Sequence, residues 1–185
     1  MPHPNILDPN RAALVVVDIQ EGFRAVIPDF AKLAARVAIA VRGFRLLELP
    51  ILVTEQYPKG LGRTAEEIKQ ALSVDTQAFE KTAFSSCRAS DFVEKLTEFG
   101  VKQVVLCGIE AHICVNQTAH DLIERGFHVH LLCDAISSRF EYNRLAGLAK
   151  MTRCGAIESS VEMALFELMG DARHPKFKEI QALIK

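Results

Sequence analysis

Gln103-Val-Val-Leu-Cys-Gly-Ile-Glu-Ala-His-Ile-Cys-Val115 is the stretch from which the rest of the chain can be read. Its first five residues are a short apolar run, as a strand buried on both faces requires. Gly108 interrupts the run. From Ile113 onward, Ile113, Leu122 and Ile123 recur near a 3.6-residue period, with Gly126 as a stop signal. A strand, a sharp turn and a helix therefore meet around Cys114. A thiol in the first turn of a helix faces free backbone N–H groups and the positive end of the helix dipole, and both favour thiolate. Position alone leaves two readings of Cys114 open: a nucleophile, or the small buried hydrophobe that most free cysteines are.

The same alternation of strand and helix runs through the chain. Ala12-Ala-Leu-Val-Val-Val-Asp18 is a β-branched run ending in a carboxylate, either a ligand-facing group at a strand end or a loop cap. Pro28-Asp29 opens an amphipathic helix to about Leu49, with Leu33, Val37, Val41 and Phe44 on its apolar stripe. Pro50–Glu55 reads as a second strand, Gln56–Gly62 as a Pro/Gly loop, and Thr64-Ala-Glu-Glu67 as a capping box opening a short helix. Gln77–Lys81 is a weaker strand ending in a lysine, Ser85–Arg88 a polar link, and Ser90–Phe99 a helix stopped by Gly100. A fifth strand, His128–Cys133, ends at Asp134. Ser138-Arg-Phe-Glu141 has capping-box spacing ahead of a helix to about Arg153, Ala156–Glu158 makes a sixth strand, and Ser159-Ser-Val-Glu162 caps a helix to Met169. The tail from His174 reads as an amphipathic turn or two on the surface. Nothing in the pattern divides the chain, so residues 1–185 are expected to form one three-layer α/β/α domain of Rossmann-like type, with a parallel sheet and right-handed crossovers.

Composition narrows the class. At 185 residues a single core buries roughly 70% of the unfolded chain's surface. With 49% hydrophobic and 24% charged residues, a net charge of −1 and no Lys/Arg cluster, neither nucleic acid nor an anionic membrane is an expected partner. Met1–Asn10 has the form of neither a signal peptide nor a transit peptide. The five cysteines are odd in number and none stands in CxxC spacing, which fits a reduced, cytoplasmic setting rather than a disulfide framework or zinc knuckle. No G-x-G-x-x-G follows a strand, so a nucleotide-binding domain is disfavoured.

Functional groups of open α/β sheets collect at the carboxyl ends of strands, where this reading puts Asp18, Lys81 and the Gly108–Cys114 turn. The three divide one task. Cys114 would attack an electrophilic carbon, Asp18 would take its proton and later activate water, and Lys81 would hold the carboxylate and favour thiolate. Backbone N–H groups before the helix would receive the oxyanion.

Val15-Val-Val-Asp-Ile-Gln20, Phe79-Glu-Lys-Thr-Ala-Phe-Ser85 and Val105-Leu-Cys-Gly-Ile-Glu-Ala-His-Ile-Cys-Val115 resemble, in order, the three signature segments of the isochorismatase-like cysteine hydrolases. The likeness runs from about Ala12 to Ser160. Thr54–Gly62 and His174–Gln181 look most like the isochorismatase domain-containing proteins. The resemblance implies a six-stranded parallel sheet, homo-oligomerisation (dimer or higher), and Asp18 as general base, Lys81 as charged partner and Cys114 as nucleophile. It also implies a cis peptide at Ile109–Glu110 that sets the Glu110 N–H beside that of Cys114.

Departures from relatives narrow the chemistry. Where nicotinamidases place an Asp-x-His metal motif, this chain has Glu55-Gln-Tyr-Pro58, so no metal and no cofactor is expected. A retained cysteine points to acyl-type chemistry on a small amide rather than vinyl-ether cleavage. Gln20, Phe23, Tyr57, Phe84 and His112 are the candidate pocket residues, with Phe23 and Phe84 equally readable as plain wall or core. The alternative is a non-catalytic scaffold on the same fold.

Overall fold

The computed structural model describes His3 and residues 5–185. Six strands, β1 Ala12–Val17, β2 Ile51–Gln56, β3 Ala78–Lys81, β4 Gln103–Gly108, β5 His128–Ile136 and β6 Ile157–Ser159, form one all-parallel sheet in the order β3-β2-β1-β4-β5-β6. The helices among the described residues are α1 Phe30–Leu46, α2 Pro58–Leu61, α3 Glu66–Lys69, α4 Phe92–Glu98, α5 Asn116–Glu124, α6 Glu141–Arg153, α7 Val161–Met169 and α8 Phe177–Ile184. β1 and β4 are buried along their whole length because helices cover both faces of the sheet. Leu14, Val16, Val105 and Leu132 point into the layer containing α1 and α7, and Ala13, Val15, Leu106 and Leu131 into the layer of α4, α5 and α6.

Strand order reverses between β1 and β4, which opens a crevice beyond their carboxyl ends. Register decides what faces it. Val17 pairs with Thr54 on one side and Gly108 on the other, and Gln56 pairs with Lys81. The residues after Val17 and Gly108 therefore leave the sheet at one level, next to Thr54 and Lys81. Gly108 is obligatory there: its φ is +124°, and a Cβ would lie 2.0 Å from the Val17 carbonyl oxygen.

Several boundaries and caps differ from expectation. α1 starts at Phe30 and ends at Leu46, and Pro58–Leu61 is a helical turn within the Pro/Gly loop. Neither Thr64 nor Ser138 caps a helix: α3 and α6 follow Ala65 and Phe140, and neither of those makes a side-chain cap. The Thr64 N–H and hydroxyl both donate to Glu55 Oε1 at 2.7 Å, because a buried carboxylate needs donors more than a helix end does. Ser160 is a true cap, accepting from the Met163 N–H. β5 runs past Asp134 to Ile136 through a register shift opposite Leu106–Gly108, and Asp134 accepts from the Val161 N–H at the start of α7. The tail forms the helix α8, which buries Ile180 completely. No helix among the described residues is long and apolar enough to cross a membrane.

His130, on β5, is 1% exposed and neither ring nitrogen has a partner among the described residues. Burial, and secondarily His128, pushes its pKa down from 6.5 to about 4. The unfolded chain therefore binds a proton that the native chain refuses. That stability contribution is whole above pH 6.5 and is lost as pH falls toward 4, a total of about 3 kcal/mol at 1.36 kcal/mol per pKa unit. His130→Leu should flatten this acid decline in urea unfolding between pH 7 and 4. Parallel declines in variant and parent would contradict the assignment.

Candidate active site

Asp18 directly follows β1 in the left-handed region, φ 55°, a conformation that aspartate tolerates better than most side chains. Its carboxylate is fully buried and held on both oxygens. The Thr54 hydroxyl donates to Oδ1 at 2.7 Å and Lys81 Nζ to Oδ2 at 2.6 Å. Lys81 spends its other two protons on Gln56 Oε1, 2.8 Å, and the Phe84 carbonyl, 3.1 Å. All three ammonium donors are therefore used, which is what makes so buried a lysine tolerable.

Cys114 lies in a π-helical turn, Ala111–Val115, that leads from β4 into α5. Such turns recur at functional sites. Gly147 of α6 packs against this turn so closely that a Cβ there would meet the Ala111 carbonyl at 2.7 Å. Asp18 and Lys81 are the charged groups beside the thiol. Its pKa is pushed up to about 12, first by burial and then by the Asp18 charge, with Lys81 acting the other way. Lysine pulls toward thiolate, as expected, but desolvation and the carboxylate pull further the other way, two effects the sequence does not show.

The Ile109–Glu110 peptide bond is cis. The Glu110 N–H donates to no acceptor among the described residues, while its carbonyl receives the Ile113 and Val115 N–H groups. The Glu110 carboxylate accepts from the Arg139 N–H at 2.9 Å and from Arg139 Nε at 3.1 Å.

Above the sulfur is a cleft of about 540 Å³. Of the expected pocket residues, Phe23, Tyr57 and Phe84 line it together with Cys114. Gln20 and His112 do not. The Gln20 carboxamide is buried and braces the loop after β2, donating to the Gln56 and Gly62 carbonyls and accepting from the Gln56 N–H. His112 Nδ1 pairs instead with Ser138 Oγ at 3.1 Å. Sequence reasoning missed Gln56, Ile113 and above all Arg139. Ending the fifth strand at Asp134 put the strand-end loop too early, and extending it to Ile136 would have marked Arg139 as crevice-facing. Of the Arg139 guanidinium, Nε alone is engaged by Glu110. Its two terminal nitrogens have no partner among the described residues.

Glu55 is turned away from the cleft, its oxygens taken by Thr64 and Arg63. Among the described residues no group of three or more His, Cys, Asp or Glu side chains is arranged to hold a metal ion.

With this geometry in hand, comparison with known proteins is decisive on kinship. The "Isochorismatase domain" family matches residues 12–163. The chain belongs to the isochorismatase domain family. This isochorismatase-domain protein is 42% identical over 177 residues to human isochorismatase domain-containing protein 2, covering 96% of the chain and 84% of that protein. Against the zebrafish isochorismatase domain-containing protein 1, 42% identical, it covers 97% of itself but spans only 62% of the relative's length. Among solved structures it is similar to the MAR1 ribonuclease of Caenorhabditis elegans, with TM-score 0.91, 42% identity and 97% and 92% of the two chains covered. It is also similar to YcaC from Pseudomonas aeruginosa bearing covalent acrylamide, with TM-score 0.89, 26% identity and 99% and 93% covered. More distant are N-carbamoylsarcosine amidase of Thermoplasma acidophilum, TM-score 0.72, 26% identity, 82% and 97% covered, and the octameric YcaC hydrolase of Escherichia coli, TM-score 0.85, 25% identity, 100% and 96% covered.

Proposed function

We propose that this isochorismatase-domain protein is a metal-independent cysteine hydrolase of small amide-type C–N bonds. The observation that carries the reading is a cysteine lining a largely apolar cleft with a buried, lysine-paired carboxylate as its charged neighbour. Cys114 Sγ attacks the carbonyl carbon as Asp18 takes the thiol proton, and the oxyanion is received by the Glu110 and Cys114 N–H groups. Collapse breaks the C–N bond, and the proton on Asp18 passes to the leaving nitrogen, which leaves a thioester. Asp18 then removes a proton from water, hydroxide attacks the thioester, and the released thiolate recovers its proton from Asp18. Lys81 keeps the carboxylate in one orientation throughout.

Arg139 adds a preference. Two unspent guanidinium nitrogens at an apolar cleft suit a substrate that carries a carboxylate or other planar acceptor. A ribonuclease activity, named for the Caenorhabditis elegans relative and for two Leishmania structures, finds little support here, since a polyanion track needs several cations and this cleft has one, already shared with Glu110. The YcaC octamer and the exposed Tyr142 and Leu145 on α6 support homo-oligomerisation as part of the reading.

The test is a panel of primary amides and ureido compounds, each with and without a carboxylate, followed by ammonia release and quenched intact-mass measurement. Wild type should show acyl mass on Cys114, and Cys114→Ala neither adduct nor turnover. Carboxylate-bearing members should be favoured about 10–100-fold, an advantage that Arg139→Met removes. Turnover that survives Cys114→Ala would overturn the assignment.

A further inference from the structure

The hydrogen bond from Thr54 to Asp18 does not end at Thr54. Thr118 Oγ1 donates to Ser86 Oγ at 3.1 Å, Ser86 Oγ donates to Thr54 Oγ1 at 3.5 Å, and Thr54 Oγ1 donates to Asp18 Oδ1 at 2.7 Å. All four residues are completely buried.

The direction of this chain is forced from both ends. A carboxylate only accepts, so Thr54 must donate to it and take its own bond from Ser86. At the far end the Ser86 N–H donates to Thr118 Oγ1 at 2.9 Å, leaving the Thr118 proton to return to Ser86 Oγ. Three buried hydroxyls are an odd choice for stability alone, because valine or alanine would pack here without a desolvation cost. The chain also joins separate elements: β2 through Thr54, the turn after β3 through Ser86, and α5 through Thr118. Thr118 is four residues after Cys114, one helical turn along the same face, so the segment that carries the sulfur also carries the start of the hydroxyl chain.

We infer that Thr118, Ser86 and Thr54 are positioning residues that hold the Asp18 carboxylate in the orientation from which it takes the Cys114 proton. Lys81 anchors Oδ2 and Thr54 anchors Oδ1, so each carboxylate oxygen has its own donor. Loss of the chain frees one oxygen, lets the carboxylate plane turn and slows proton transfer from the thiol. The inference rests on Asp18 acting as the base toward Cys114.

The test needs no natural substrate. The second-order rate of acrylamide alkylation of Cys114 is followed by intact mass at pH 7, with circular dichroism confirming that each variant is folded. Thr54→Val should lower the rate about tenfold, the size expected when a carboxylate loses one hydrogen bond. Ser86→Ala should lower it by less, and Thr54→Ser should restore it. If Thr54→Val does not fold, Ser86→Ala decides. Rates that stay at the wild-type value in these variants, while Asp18→Asn lowers the rate, would overturn the hydroxyl chain and leave the base intact. A wild-type rate in Asp18→Asn would overturn the base reading itself.

Discussion

Lys81→Met is expected to cost about 3–5 kcal/mol of folding stability, the range for orphaning one member of a buried ion pair. Both side chains are 1% exposed and their charged atoms are 2.6 Å apart, so nothing from solvent can replace the ammonium beside Asp18. Methionine preserves the chain's volume but supplies no donor, leaving Gln56 Oε1 and the Phe84 carbonyl unpaired as well. The second variant, Asp18→Asn with Lys81→Met, should recover much of the loss, because no uncompensated charge remains. Urea unfolding of both single variants and the double variant closes the cycle. A loss under about 1 kcal/mol for Lys81→Met, the size typical of an exposed pair, would mean that the Asp18–Lys81 contact is wet and not the anchor of the site.

The parts of this molecule that could be read from its sequence are those that local pattern controls. Ala12–Val17 and Gln103–Cys107 are apolar because helices cover both of their faces, and such runs read directly as central strands. Once the strands are found, the rule for open α/β sheets locates Asp18, Lys81 and Cys114 at their carboxyl ends, and the structure brings the three side chains together. What could not be read depends on partners distant in sequence. Thr64 carries a capping signal, but Glu55, nine residues earlier, claims its donors. Ser138 carries one too, but it faces His112. Arg139 enters the cleft only because β5 extends through a register shift set by its pairing with β4. The upward push on the Cys114 thiol was not legible for the same reason: a helix terminus and a lysine are visible in sequence, whereas the burial that opposes them comes from packing. The hydroxyl chain joins Thr54, Ser86 and Thr118, three residues with no shared motif.

The catalytic account requires that Asp18 takes the Cys114 proton as the sulfur attacks, so that the rate does not follow the thiolate fraction in solution. Burial and the Asp18 charge push the Cys114 thiol up to about 12. The reactivity of Cys114 should therefore be level across neutral and mildly alkaline pH. A free cysteine instead gains about tenfold per pH unit until near pH 8.5. In Asp18→Asn the sulfur has only Lys81 as a charged neighbour, so the thiol should titrate by itself and the slope should return, while amide hydrolysis is lost for want of a proton donor to the leaving nitrogen. The most direct measurement is the second-order rate of acrylamide addition to Cys114, followed by intact mass from pH 6 to 9 beside free cysteine under the same conditions. A plateau in wild type and a tenfold-per-unit slope in Asp18→Asn is the predicted result, and a wild-type rate that climbs in parallel with free cysteine would contradict it.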